Sequence, residues 1–361
     1  MGPARLIAVS GLGPKEPAAF VVEAQGRRLL LDCGEGSEPG RLPDFDAIGN
    51  IDAIILSHGH IDHAGALRFS DRIGSPPVYA TAPVLARLKG IAGRAIPMRG
   101  RADVLGIGIE TGTNGHAPGG VWLRLAVGDG IVYMGDHSVE SALYQFDVPP
   151  ATATMIIDGS YGDTEETLEP QRRRIVEILG RGPALLPVPP DGRGPDIAAW
   201  LLAESFDVAI DDQVRSVANM LTHTARHSAR EEALPGLERL LLQARVIDGG
   251  AAARGVMVVH GGSGDVGVAN ALIKRWQTAA DPTILFTGHL PAGTTGRRLV
   301  DSGRALFSRW NVHPRMSDNL ALIERVDPRR IVPAFGRPEW IAHWQKHVTS
   351  REIVSSTPIE L

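Results

Sequence analysis

The chain has 361 residues, of which 43% are hydrophobic and 22% are charged, as expected for a globular protein of one large or two medium domains. Its net charge of −4 excludes a strongly basic chain that would bind nucleic acid through bulk charge alone. The single cysteine, Cys33, excludes an intramolecular disulfide and a cysteine-based zinc cluster. Because no window of about 18 uninterrupted apolar residues occurs, we expect no membrane span and a cytoplasmic protein.

Short apolar runs separated by glycine- and proline-rich turns dominate the first part of the chain. These runs predict strands at 5–9, 19–23, 28–32, 52–56, 103–110, 121–127 and 131–134. A further strand begins at Val78 and is followed by a helix over 82–90. Strands therefore alternate with helices in this region, as in an α/β fold.

The stretch from Ser57 to His63 places His58, His60, Asp62 and His63 within six positions. Imidazole nitrogens and carboxylate oxygens are the ligands of zinc and similar metals, at about 2.0 to 2.2 Å. If residues 58–60 are extended, the side chains of His58 and His60 point to the same side. Asp62 and His63 then follow at the start of a helix. A lone histidine would more often be structural, but this spacing predicts a site where two metals could bind side by side.

Three more polar residues lie at the ends of predicted strands. Asp32 ends the third strand, and His116 and Asp136 lie at the edges of later strands beside glycines. Glycine allows the backbone to bring such side chains close to a metal. The sequence alone leaves open whether Asp32 orients metal ligands or only forms a turn.

From Thr154 onwards the pattern predicts a second α/β region. Strands are predicted at 184–188, 255–259 and 283–287, and helices at 165–179 and 266–276, which together indicate a parallel sheet. An apolar helix that ends at Glu204 is predicted after the segment 192–196. A strand over 305–310 is expected to return the chain to the first domain. Ser317 is expected to cap a helix over 318–325, and a last strand and turn follow at 331–336.

The His-x-His-x-Asp-His motif resembles the signature of the metallo-β-lactamase superfamily. The segments 158–163, 192–193 and 287–299 resemble the β-CASP branch of that superfamily, which includes ribonuclease J and the endonuclease that cleaves pre-mRNA before polyadenylation. The resemblance implies an α/β fold in which residues 1–162 and 309–361 form a metallo-β-lactamase αββα sandwich. Residues 163–308 would form an inserted β-CASP α/β domain with a parallel sheet.

The same resemblance implies roles for the site residues. It assigns six metal ligands: His58, His60 and His116 for the first metal, Asp62 and His63 for the second, and Asp136 as a bridge. Asp32 would orient the ligand histidines. A metal-activated hydroxide would attack a phosphodiester, and His313, held by Asp158, would act as the general acid. Asp62 is assigned to the catalytic residues as well as to the ligands.

One position departs from the family pattern. Where relatives place a last metal-binding histidine, this chain has Phe335, which cannot ligate a metal. We therefore expect one tight Zn²⁺ site and a second site that is weak or empty, with Mn²⁺ as an alternative ion. His137 and His343 are the candidate replacements for the missing ligand.

Two other patterns carry weaker signals. Gly262, Gly264 and Gly267 form a G-x-G-x-x-G sequence, but the next strand ends in Gly288-His289 without an acidic residue for a ribose, so we expect no nucleotide cofactor. Arg297 and Arg298 follow a glycine- and threonine-rich loop and are weak candidates for contacts with substrate phosphates. The run 172–174 is interpreted as a solvated helix face.

These features predict a metal-dependent hydrolase, a nuclease of RNA processing that cleaves RNA in preference to DNA. Two alternatives remain open. One is a hydrolase of small phosphoesters or other small substrates with a mononuclear site, and the other is a catalytically impaired β-CASP-like binding protein. The sequence determines neither endonuclease or exonuclease action nor the oligomeric state.

Overall fold

The structure is a computed structural model, and it describes residues 4–14, 16–38, 40–279 and 282–361. Within these ranges the strands are β1 (Arg5–Ser10), β2 (Ala19–Ala24), β3 (Arg27–Leu31), β4 (Ala53–Ile55), β5 (Val78–Thr81), β6 (Gly93–Ile96), β7 (Gly100–Val104), β8 (Ile107–Thr113), β9 (Val121–Leu125), β10 (Ile131–Tyr133), β11 (Thr154–Asp158), β12 (Ala184–Val188), β13 (Val208–Ile210), β14 (Arg245–Val246), β15 (Val256–His260), β16 (Thr283–Phe286), β17 (Leu306–Phe307), β18 (Arg330–Ala334), β19 (Glu352–Ile353) and β20 (Ile359–Glu360).

The α-helices in the same ranges are α1 (Phe45–Ile48), α2 (Ile61–Ala64), α3 (Ala82–Leu85), α4 (Leu168–Leu179), α5 (Arg193–Ala203), α6 (Asp212–Thr222), α7 (Leu234–Gln243), α8 (Gly267–Trp276), α9 (Thr295–Asp301), α10 (Met316–Val326) and α11 (Ile341–His347). Short 3₁₀ helices are Gly65–Ile73, Arg226–Ser228, Glu231–Ala233 and Pro338–Trp340. Every helix in the described part of the chain is too short or too polar to span a membrane.

The chain divides into two compact units. The first contains residues 1–139, 145–165 and 313–361, and the second contains residues 140–144 and 166–312. Each unit therefore consists of more than one segment of the chain. The domain boundaries predicted at 162/163 and 308/309 stay predictions beside this division.

The first unit contains two mixed sheets. Their strand orders are β20-β1-β2-β3-β4-β5-β6 and β19-β18-β11-β10-β9-β8-β7. Neighbouring residues on one strand face different cores, because successive side chains in a strand point to opposite faces. Leu29 and Leu31 on β3 join a core shared with Ile131 and Tyr133 of the other sheet. Leu30 instead packs beneath α1, and the first unit is thus a sandwich of two sheets between helices.

The second unit is built on one parallel sheet with the order β14-β13-β15-β12-β16-β17. Leu186 on β12 packs on the side of α4 to α7, and Leu185 packs on the side of α8 and α9. Both faces of the sheet are covered, which is why its strands are almost continuously apolar. The predicted α/β fold class, with two sheets in one unit and a parallel sheet in the other, is confirmed.

Four local predictions are wrong. The helix predicted over 82–90 ends at Leu85 and is followed by turns. The single strand predicted over 103–110 is a hairpin of β7 and β8, because Leu105 and Gly106 both have positive φ and form a tight turn. β17 does not return to the first unit but pairs with β16 in the parallel sheet. The helix α10 begins at Met316 and not after Ser317, because the Asp318 carboxylate accepts a hydrogen bond from the backbone N–H of Arg315 at 3.0 Å and caps the first turn.

Candidate active site

The turn that carries the first four candidate ligands is held by the loop that follows β3. Ile61–Ala64 is a single helical turn, and its backbone oxygens accept hydrogen bonds from Cys33 (2.8 Å, to the oxygen of His63) and from Glu35 (2.8 Å, to the oxygen of Ile61). Gly34 passes so close that a Cβ there would lie 1.7 Å from the backbone oxygen of Asp62. Only glycine fits at this position, and the ligand turn is fixed by it.

Asp32 is fully buried directly after β3 and binds four donors. Its Oδ1 accepts the Ser57 N–H at 2.7 Å. Its Oδ2 accepts the Ser57 hydroxyl at 2.6 Å, the Tyr133 hydroxyl at 2.6 Å and Nδ1 of His63 at 2.7 Å. Ser57 Oγ also lies 3.0 Å from Nδ1 of His58. The carboxylate of Asp32 therefore orients one histidine directly and a second one through Ser57.

His116 and Asp136 reach the same place from loops that follow β8 and β10. Gly115 has φ +73°, and a Cβ there would lie 2.0 Å from the backbone oxygen of Ser138. Gly135 has φ +56°, and a Cβ there would lie 2.5 Å from Ser57 Oγ. The glycines beside each ligand thus permit close approaches that a side chain would block.

The structure brings all six predicted ligands together. His58, His60, His116 and Asp136 form one group, called the four-donor group, and Asp62, His63 and Asp136 form another, called the three-donor group. Each residue offers one ligand atom, and these atoms lie within 4.8 Å of one another in each group. The Asp136 Oδ1 lies 3.2 Å from Nε2 of His63, and its Oδ2 lies 3.5 Å from Nε2 of His116. Asp136 is therefore common to the two groups.

The residues of the four-donor group fit a divalent cation. Nε2 of His58 is buried and has no hydrogen-bond partner in the described structure. Leaving such a group without a partner in the interior costs about 1 to 3 kcal/mol. A cation held by three imidazole nitrogens and one carboxylate would supply the missing partner, and this donor set is typical of zinc and related metals.

The charges of His58 and Asp136 suit the same purpose. Burial, together with the neighbouring His63 and His60, lowers the pKa of His58 well below its ordinary value, so that ring is neutral. Burial alone would raise the pKa of Asp136, but the imidazoles of His63 and His313 lower it well below its ordinary value. A neutral imidazole and an ionised carboxylate are the forms that bind metals.

His313 and Asp158 form, together with Asp136, a third group of side chains close enough to hold a metal. Nδ1 of His313 donates to Oδ2 of Asp158 at 2.7 Å and lies 3.8 Å from Oδ2 of Asp136. Asp158 is fully buried at the end of β11, and its Oδ1 accepts the backbone N–H of Ser160 at 2.9 Å. The His313 ring also packs edge-on against Tyr161, with ring centroids 5.1 Å apart. The ring is thus oriented through Nδ1.

Phe335 lies against the three-donor group. It follows β18, has φ +61° and is buried, and its ring centroid is 5.2 Å from that of His63. Its backbone N–H donates to the oxygen of Gly11 at 2.7 Å, and its ring packs edge-on against Phe20. An apolar ring, which cannot ligate a metal, therefore packs against His63.

The other predicted residues lie elsewhere. His137 and His343 belong to none of the metal-capable groups found among the described residues: His137 stacks on Phe146, and His343 pairs with Asp163 at 3.3 Å. Arg297 and Arg298 are in the second unit. Arg297 forms an ion pair with Asp301, and Arg298 donates to Thr295 Oγ1 at 2.9 Å, so their phosphate contacts stay a prediction.

Two residues of the site were missed in the sequence. Tyr133 donates its hydroxyl to Asp32, and Asn114 accepts the His116 backbone N–H on its Oδ1 at 3.1 Å. Asn114 could have been found because it lies two residues before a predicted ligand, where an asparagine side chain often closes a turn. Tyr133 gives no such local signal, because its partner is 101 residues away.

Comparisons with known proteins find one matching family model and several curated relatives. Residues 12–179 match the family model described as the metallo-beta-lactamase superfamily. Ribonuclease TTHA0252 of Thermus thermophilus is 32% identical over 195 residues, which are 45% of this chain and 44% of that protein. The transcription termination factor FttA of Methanothermobacter thermautotrophicus is 27% identical over 289 residues, 64% of this chain and 44% of that protein.

Two further comparisons extend over most of the chain. Endoribonuclease YSH1 of Yarrowia lipolytica is 23% identical over 376 aligned positions, 85% of this chain and 45% of that protein. The crystal structure of a protein of unknown function from Enterococcus faecalis V583 superimposes with a TM-score of 0.63 at 14% identity, covering 99% of this chain and 100% of that chain, which shows the fold alone. The chain spans a little under half the length of the three curated relatives.

Proposed function

Since this chain belongs to the metallo-beta-lactamase superfamily, we propose that it is a metal-dependent phosphodiesterase that hydrolyses nucleic acid, RNA in preference to DNA. The predicted membership of this superfamily and of its β-CASP branch is confirmed. One observation carries the proposal: Asp136, which belongs to both groups of predicted ligands, also lies 3.8 Å from His313. A cation held with the help of Asp136 would offset charge, and His313 would supply a proton close to it.

The proposed cofactor is Zn²⁺, held by the three histidines and the aspartate of the four-donor group. When bound, such a cation lowers the pKa of a coordinated water to about 7 and offsets the charge on a phosphate oxygen. Mn²⁺ is the alternative ion, because carboxylates also suit it. His58 and His60 belong to the segment between β4 and α2, and His116 belongs to the loop after β8.

His313 is proposed as the general acid. Because its Nδ1 donates to Asp158, its Nε2 is the nitrogen left to deliver a proton to the leaving oxygen of the substrate. Asp158 is ionised and stabilises the positively charged ring, since the imidazole of His313 offsets the effect of burial and lowers the pKa of Asp158. General acid catalysis of this kind contributes about 10² to 10⁴ in rate. Asp62 is proposed as a further catalytic carboxylate beside its ligand role.

The second metal is proposed to bind weakly or not at all. The three-donor group lacks a fourth protein ligand, and Phe335 packs on the ring of His63. The wild-type protein is expected to retain one equivalent of zinc after dialysis, and Phe335→His is expected to retain two. Metal analysis by plasma mass spectrometry measures this, with Phe335→Leu as the control of similar burial. Two equivalents in the wild type would contradict this part of the proposal.

RNA is the proposed substrate because two of the relatives carry the names ribonuclease and endoribonuclease. The predicted cytoplasmic location is part of the same proposal. The test uses zinc-loaded protein with labelled single-stranded RNA and with DNA of the same sequence. Cleavage of the RNA is expected, with loss of cleavage in His58→Ala. His347→Ala, which removes an exposed histidine of the same unit, is the matched control.

The proposal fails if both nucleic acids stay intact, or if His58→Ala cleaves them as well as the wild type does. Turnover of a small model phosphodiester without binding of oligonucleotides would instead select the alternative of a small-substrate hydrolase. Normal oligonucleotide binding without any cleavage would select the binding protein.

A further inference from the structure

The chain passes between its two units at four points, after residues 139, 144, 165 and 312. Glu140, Glu166 and Asn311 lie next to three of these points, and all three belong to the second unit. They meet in one hydrogen-bond network centred on Asn311. The last of the four passages leads from Asn311 through Val312 directly to His313, the proposed general acid.

Asn311 engages its whole side-chain amide and its backbone N–H. Its Nδ2 donates to Oε2 of Glu140 at 2.9 Å and to the backbone oxygen of Glu166 at 2.8 Å. Its backbone N–H donates to Oε1 of Gln171 at 2.9 Å, and its Oδ1 accepts from Nε2 of the same glutamine at 2.8 Å. Asn311 and Gln171 are buried, with exposed fractions of 3% and 0%. Fully satisfied buried networks of this kind make a segment rigid.

Trp310, the residue before Asn311, fixes the same backbone segment. Trp310 is fully buried in the core of the second unit, and the guanidinium of Arg172 lies 5.0 Å from its ring centroid. The backbone is thus fixed at 310 and 311, while the His313 side chain is fixed at 2.7 Å from Asp158. Two residues span at most about 7 Å, so a shift at Asn311 is transmitted to His313 with little slack.

We propose that Asn311 is a positioning residue for His313. This inference rests on the proposed function, since it assigns the network a purpose in proton transfer by His313. The network fixes the backbone that enters His313, so that Nδ1 meets Asp158 and Nε2 is presented to the substrate. A misplacement of about 1 Å in such a group costs up to about 10²-fold in rate.

Asn311→Asp tests the network with almost no change of side-chain volume. The variant loses both Nδ2 donors and places a carboxylate oxygen against the Glu140 carboxylate and the Glu166 carbonyl, which repel it. In the double variant, Glu140→Gln supplies an amide donor opposite the new carboxylate. The matched control is Asn270→Asp, because Asn270 also donates its Nδ2 to a backbone oxygen in the second unit, that of Gly264 at 2.9 Å.

The kinetic experiment compares these variants with and without His313. Asn311→Asp is expected to lower kcat roughly tenfold or more, with KM little changed, and Glu140→Gln is expected to recover part of the loss. In the His313→Ala background Asn311→Asp is expected to cause no further loss, because it acts only through His313. An equal loss in both backgrounds, or no loss, overturns the proposal. Asn270→Asp is expected to leave kcat unchanged.

A second readout does not depend on cleavage. In histidine-labelled protein, the Nδ1 proton of His313, which is assigned by its absence in His313→Ala, is expected as a slowly exchanging signal because it is bound to Asp158. Asn311→Asp is expected to weaken or remove that signal and Asn270→Asp to keep it. An unchanged signal in Asn311→Asp overturns the positioning role. A wild type that cleaves nothing refutes the proposed function, while this signal still decides the positioning.

Discussion

The pKa values of buried carboxyl groups are shifted in opposite directions in the two units. Asp136 and Asp158 of the first unit and Asp196 of the second are all almost inaccessible to solvent. The pKa of each of the first two is held below its ordinary value, whereas that of Asp196 is raised to about 6. Burial by itself raises the pKa of a carboxyl group, so burial alone cannot produce this difference.

The neighbouring side chains of each carboxyl group produce this difference in pKa. Asp136 and Asp158 face imidazoles, those of His63 and His313, which favour the ionised form at short range. Asp196 accepts one hydrogen bond, from Ser141 Oγ at 3.1 Å, and the charges of two arginines only partly offset its burial. The two carboxyl groups with lowered pKa therefore belong to the candidate active site, and Asp196 lies in the other unit.

The largest effect on kcat is expected at Asp158, the buried carboxylate that binds the proposed proton donor His313. Asp158→Asn keeps the volume but removes the charge that stabilises the protonated ring of His313. We expect kcat on RNA to fall by about 10² to 10⁴, with zinc content unchanged. Steady-state kinetics and metal analysis check this, and Asp163→Asn, an exposed carboxylate of the same segment, is the control. Full activity of Asp158→Asn would show that the charge of Asp158 is not needed for catalysis.

Asp196, whose pKa is raised, is expected to make the free energy of unfolding depend on pH. Folded Asp196 has a pKa of about 6 against an ordinary value of 3.8, so the folded state binds the proton more tightly than the unfolded state. This contribution is complete below pH of about 4 and is lost as pH rises through about 6. A difference of about two units between the folded and unfolded pKa corresponds to about 3 kcal/mol in the free energy of unfolding.

Asp196→Asn, which imitates the protonated form, should therefore gain stability relative to the wild type as pH rises. The gain should approach about 3 kcal/mol between pH 4 and pH 7.5. Urea unfolding of both proteins across this range measures the difference, in which other titrating groups cancel. A difference between the two proteins that does not change with pH would show that folding leaves the pKa of Asp196 unchanged.

A smaller effect is expected at Asp32, the third buried carboxylate of the first unit. Its four donors include Nδ1 of His63 and the Ser57 hydroxyl that contacts His58. Asp32→Asn disturbs the orientation of ligands without removing one, so zinc affinity should fall by about 10- to 100-fold. Competition with a chelating dye measures the affinity. A loss as large as that of His58→Ala would mean that Asp32 is itself needed to hold the metal.

The ligand turn could be predicted from the sequence because its chemistry is local. Four donors lie within six positions, and the glycines beside His116 and Asp136 indicate close approaches that the structure contains. The hairpin at Leu105 and Gly106 was missed, because alternating apolar residues continue through the turn and Leu105 gives no sign of its positive φ. Secondary structure is thus predicted well where propensity and pattern agree and poorly where a turn interrupts the pattern.

Long-range polar contacts could not be predicted. Gln171 and Asn311 are 140 residues apart and are of types that are usually exposed. Arg172 was interpreted as part of a solvated helix face, and this holds for Arg173 but not for Arg172, whose guanidinium lies over Trp200 and Trp310. A charge run reveals the helix but not which residues of other segments cover its sides.

The five residues 140–144 make the second unit discontinuous. Ser141 contacts Asp196, the Tyr144 hydroxyl donates to the oxygen of Gly192 at 2.7 Å, and Arg230 donates to the backbone oxygens of Ser141 and Tyr144. A gene fragment encoding only 166–312 would lose all of these bonds and uncover apolar surface beside them. Excision of this unit for separate expression therefore requires the short segment to be grafted back, for example by circular permutation that joins it to one end.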